Sequence, residues 1–112
     1  MTIIENNYSL AAMLPDKPLQ LIEPRLYNLL VRELELLHLH PYDVKAGGSA
    51  DERGVTVNLR FGEQLGQFTS RKFSWEAIET GDDEIATHFR ETAELMKKTL
   101  IADYFKMMKS ES

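Results

Sequence analysis

The chain has 112 residues, 43% hydrophobic and 28% charged, which suffices for one core in a domain of ordinary size. It contains no cysteine, so disulfide staples and thiolate metal sites are excluded, and a net charge of −5 gives no general attraction to phosphate backbones or anionic lipid. The N-terminus lacks the basic start and apolar run of a secretory signal, and charges break every apolar stretch before it reaches membrane-spanning length, so a cytoplasmic location is expected.

Residues 1–18 read as an N-terminal arm or short helix, ahead of a single α+β domain over residues 19–112. Within the arm, Leu10, Ala11, Ala12, Met13 and Leu14 follow Ser9, a helix-capping residue, and Pro15 and Pro18 close the segment. A helix is expected from Pro24 to Leu39, because Ile22, Leu26, Leu29, Leu30, Leu34 and Leu37 recur at helical spacing. Pro24 is tolerated in its first turn, and Pro41 ends it.

The middle third reads as strands. Tyr42, Val44 and Ala46 alternate, then Gly47 to Gly54 reads as a polar, flexible loop. Val55, Val57, Leu59 and Phe61 alternate with Thr56, Asn58 and Arg60, the clearest period of two in the chain. After the turn residues Gly62 to Gly66, a third strand is expected from Gln67 to Trp75. The last element is a long helix from about Asp82 to Lys109, capped by Thr80 or Asp82, with Ile85, Phe89, Ala93, Met96, Leu100, Tyr104 and Met107 on one face. The expected architecture is therefore α+β: helix, three-stranded antiparallel meander and long C-terminal helix, with both helices on one face of the sheet.

A helix of that length spans about 42 Å, against a radius of gyration near 13 Å for a compact domain of this size. Its C-terminal end is expected to overhang the core and to carry Ile101, Tyr104, Phe105, Met107 and Met108 outward. Methionine and aromatic side chains make an adaptable binding surface.

The order α-β-β-β-α is also that of the double-stranded RNA-binding domain. Those domains hold phosphate at a lysine-rich start of the second helix, where this chain has Gly81-Asp82-Asp83-Glu84 after Glu79, and carboxylates there repel phosphate. Residues 44–75 are the one basic part, with five cations and three anions. Arg60, Arg71, Lys72 and Trp75 there are the residue types that track and stack a single strand.

His38, His40 and Asp43 have metal-ligand chemistry, but they straddle a helix end and lack a third convergent partner element. His88, between Glu84 and Glu91 at helical spacing, is expected to have a raised pKa. Gly47-Gly48-Ser49 lacks the lysine that completes a phosphate loop, and no nucleophile elbow or catalytic pair is present. The sequence therefore points to no catalytic residues, no metal and no cofactor. It points to a small acidic interaction protein, and an adaptor, or an inhibitor from a mobile element, fits the small size and the acidity. The long C-terminal helix would bind a protein partner or a second copy of the chain, and single-stranded nucleic acid on the basic sheet is the alternative.

Overall fold

The alternation from Val55 to Phe61 becomes the centre of the sheet. The computed structural model describes residues 16–111, with side chains as far as Lys106. In chain order it has β1 (Lys17–Pro18), α1 (Leu19–Ile22), α2 (Pro24–Leu36), β2 (Val44–Ala50), β3 (Gly54–Phe61), β4 (Gln67–Ser74), α3 (Trp75–Thr80) and α4 (Asp83–Glu111). Single 3-10 turns at Pro41–Asp43 and Glu63–Leu65 lead into β2 and β4. The strands lie in the order β1-β2-β3-β4, all antiparallel.

In β3, Val55, Val57, Leu59 and Phe61 are buried, while Thr56, Asn58 and Arg60 between them stay half-buried. The buried set forms one core with Leu26, Leu30 and Leu34 of α2, Phe73 of β4, and Ile85, Phe89, Ala93 and Met96 of α4. Helical and strand periods thus meet in one layer, as two amphipathic helices and a half-apolar sheet require.

The sheet has four strands where the sequence suggests three. Lys17 and Pro18 pair with Gly48 and Gly47 as the extra edge. Two residues carry no readable period, and a proline cannot donate to a ladder, so this strand leaves no signal in the sequence. The earlier arm, including Leu10 to Leu14, lies outside the described residues.

Gly47 to Ala50, expected as loop, belong to β2. The two glycines mark close approach rather than flexibility. A Cβ on Gly48 would run into the Thr56 carbonyl oxygen, and one on Gly47 would lie 2.5 Å from the Asp16 Cβ. Only Asp51, Glu52 and Arg53 remain as the turn, where Asp51 Oδ1 accepts from the N–H groups of Arg53 (2.8 Å) and Gly54 (3.1 Å). Lys72 Nζ donates to the other Asp51 oxygen at 2.6 Å, and this bond above all holds the carboxyl down to about 2.

The helix ends follow side-chain chemistry. Glu23 caps α2 by accepting from Arg25 N (3.0 Å) and grips the Arg25 guanidinium with both oxygens, which lowers the pKa of this buried carboxyl. At the other end α2 stops at Leu36, three residues short of the expected Leu39. His38 turns into the left-handed region (φ 61°), and Leu39 N–H donates back to Leu34 O at 2.9 Å while its side chain enters the core. A hydrophobic residue just past a left-handed stop is the usual accompaniment of such an end.

β4 ends at Ser74 rather than Trp75. Ser74 Oγ accepts from Ala77 N at 3.1 Å and starts α3, which Gly81 closes at φ 68°. Asp82 then caps α4, its Oδ1 accepting from Glu84 N at 2.9 Å. Of the two expected caps, Asp82 takes the role, and Thr80 is the last residue of α3. Among the described residues no helix is long and apolar enough to cross a membrane.

Candidate interaction surface

α2 and α4 run side by side in the same direction. Arg90 Nε donates to the buried Glu33 carboxylate at 3.2 Å, and Lys97 Nζ donates to Leu37 O at 2.6 Å. The second bond satisfies a carbonyl at the end of α2 that has no helical partner. Beyond it α2 is gone and α4 continues. With 29 residues α4 is about 43 Å long, against about 20 Å for the 13 residues of α2.

Among the described residues the continuing helix is held on one side only. Asp103 Oδ2 accepts from Glu63 N at 3.0 Å, and Lys106 Nζ lies 3.7 Å from a Glu63 oxygen, so the β3–β4 connection rests along this edge. Thr99 packs there as well, its methyl group beside Gly62. On the side where α2 has stopped, Ile101, Tyr104 and Phe105 are 47%, 61% and 62% exposed. With His38, Leu39, Lys97 and Leu100 they line a shallow groove of about 380 Å³.

The structure thus brings Ile101, Tyr104 and Phe105 together at the overhanging end of α4. The side chains of Met107 and Met108 lie outside the described residues, although the helix backbone passes through both. The groove's opposite wall, His38 and Leu39, carries no signal of its own in the sequence. It exists because α2 stops where it does.

The residues suggested for nucleic acid are divided between surfaces. Arg60 and Lys72 face away from the helices, in register with Phe68 and Thr56. Arg71 lies in register with buried Val57 on the helix side and reaches Glu84 Oε1 at 3.5 Å. Trp75 opens α3, and its Nε1 donates to Asp51 O at 2.8 Å.

His40 is engaged in a local cap. His40 Nδ1 accepts from Tyr42 N (3.1 Å) while Asp43 Oδ2 accepts from His40 N (2.9 Å), which together cap the 3-10 turn at Pro41–Asp43. His88 behaves contrary to the expectation from its neighbours. Its pKa is lowered, first by burial against Phe73 and Phe89 and next by the Arg71 charge, with Glu91 opposing weakly. Glu84, the other expected partner, is taken by Arg71. Neither known protein families, nor curated proteins, nor solved structures show a match to this chain, so the reading of function rests on its geometry.

Proposed function

We propose that this protein is a non-enzymatic interaction module. The end of α4 binds a protein partner or a second copy of the chain, in the manner of an adaptor or an inhibitor. The carrying observation is the row Ile101, Tyr104 and Phe105, left exposed where α4 outruns α2 and bordered by a groove. An amphipathic helix laid along that groove would bury those rings and the Ile101 branch. Full burial of such a side chain from water is worth roughly 1.5–3 kcal/mol, and these three, about half exposed, stand to gain roughly half of that each. Aromatic anchors dominate interfaces of this kind.

The support also lies in how the segment is held. Asp103, Lys106 and Thr99 fix one side of the helix against the β3–β4 connection, so the exposed row is presented on a positioned element. Preorganisation of that kind lowers the ordering cost of association.

The test is affinity capture from the host's lysate with the wild-type chain and a Tyr104→Ser/Phe105→Ser variant, together with sedimentation of each alone. The reading expects a stoichiometric partner, or concentration-dependent self-association, that the variant loses while its melting temperature stays near wild type. Association that survives the double change would sink it. A variant that unfolds would show instead that both rings stabilise the fold.

A further inference from the structure

Among the described residues no helix covers the other face of the sheet, which holds a second concentration of unused chemistry. The register sets Lys45 of β2, Arg60 of β3 and Phe68 of β4 in one row across three strands. The Arg60 guanidinium lies 4.3 Å from the Phe68 ring centroid, and Phe68 is still 48% exposed. Beside that row, Asn58 Nδ2 donates to Asp16 Oδ1 (3.0 Å) and Asn58 Oδ1 accepts from Ser70 Oγ (2.6 Å), which makes a polar strip over the bare backbone of Gly47. Lys72 closes the face at the far end, held by Asp51.

We propose that this face is a binding surface separate from the α4 groove, and that it takes a single strand of nucleic acid. Lys45 and Arg60 meet its phosphates, and a base stacks against the pair formed by the Phe68 ring and the Arg60 guanidinium that lies over it.

The net charge of −5 is unevenly placed, and most of the acids lie away from this face. Residues 76–112 carry nine acidic groups, and most of these sit on α3 and α4, in the layer behind the sheet. Charges on opposite sides of a domain are separated by more than the Debye length of about 8 Å at physiological ionic strength. On the described part of the open face Lys72 and Asp51 pair with each other, and Lys45 and Arg60 outnumber Asp16, which accepts from Asn58. A base has a π-face whatever its identity, so one exposed ring flanked by cations fits a single strand without sequence preference. An acidic peptide would use the cations and leave the ring idle.

The experiment is fluorescence anisotropy of the full chain with a labelled oligothymidylate, from low salt upward. Two phosphate contacts predict a slope of log affinity against log salt of about −1.4. Phe68→Ser should weaken binding about tenfold, by loss of one stacked base. Lys45→Glu with Arg60→Glu should abolish it, while Arg32→Gln on α2 should leave it unchanged, with thermal melts verifying each fold. No binding at low salt, equal binding by the face variants, or displacement by polyglutamate as effective as by unlabelled oligonucleotide would each overturn the proposal. None of these results bears on the α4 groove, whose residues are untouched by the variants.

Discussion

Gly48 lies opposite Val57 in the β2–β3 ladder, with the Thr56 carbonyl oxygen in the space that a side chain would fill. From the sequence, Gly47-Gly48-Ser49 has the composition of a loop, because a glycine kept for close approach and one kept for flexibility look alike. Gly48→Ala should therefore cost about 1–3 kcal/mol of stability, as forced overpacking does, and denaturant unfolding will measure it. A neutral result would mean that β2 and β3 lie farther apart than described. His88 gives a second case at this scale. Spacing alone pairs it with two glutamates, but spacing does not show that burial is the larger effect or that Arg71 has taken Glu84. A histidine whose folded pKa is depressed contributes stability that is full above its unfolded value. That contribution is lost as pH falls from about 6.5 toward the lowered value. The chain should accordingly lose stability on acidification below about 6.5, and His88→Gln should flatten that part of the profile. Asp51 acts in the same sense but lower, its contribution fading as pH falls from its ordinary range toward about 2. A pH profile identical in the His88 variant would remove histidine from this account.

Elements with a long period were legible, and those without one were not. The leucine stripe of α2, the alternation of β3 and the Ile85-to-Met96 face of α4 each repeat often enough to fix both the type of element and the face it buries. β1 is two residues long and α3 is six, too short for either period to show. α3 does leave a signal of another kind: Ser74 at a capping position and Gly81 at a left-handed stop seven residues later. The same grammar locates the start of α4 at Asp82. Replacing Asp82 by Ala should cost about 1 kcal/mol. Hydrogen exchange of the first turn of α4 should rise while the Lys97–Phe105 stretch is unaffected. Faster exchange along the whole helix would mean that α4 is held by its cap rather than by its packing.

On the scale of the whole molecule, the radius of gyration is 15.7 Å, against about 13 Å for a compact chain of this length. The excess is the expected consequence of one helix twice as long as its neighbour. Helix length alone led to the expectation that the end of α4 overhangs the core, and Ile101, Tyr104 and Phe105 are exposed there. The groove beside them depends on the end of α2 and on the Lys97–Leu37 bond, which join residues 60 apart in sequence and have no local signature. A photo-crosslinking amino acid placed at position 105, with position 42 as control, shows whether the α4 end is the binding surface. Tyr42 is 92% exposed, lies on the 3-10 turn ahead of β2 and is not among the residues that line the groove. Irradiated in the host cell, the chain labelled at 105 should join one discrete protein, or a second copy of itself, and the chain labelled at 42 should not. Crosslinks from 42 alone, or none from 105, would contradict the assignment of the α4 end as the binding surface.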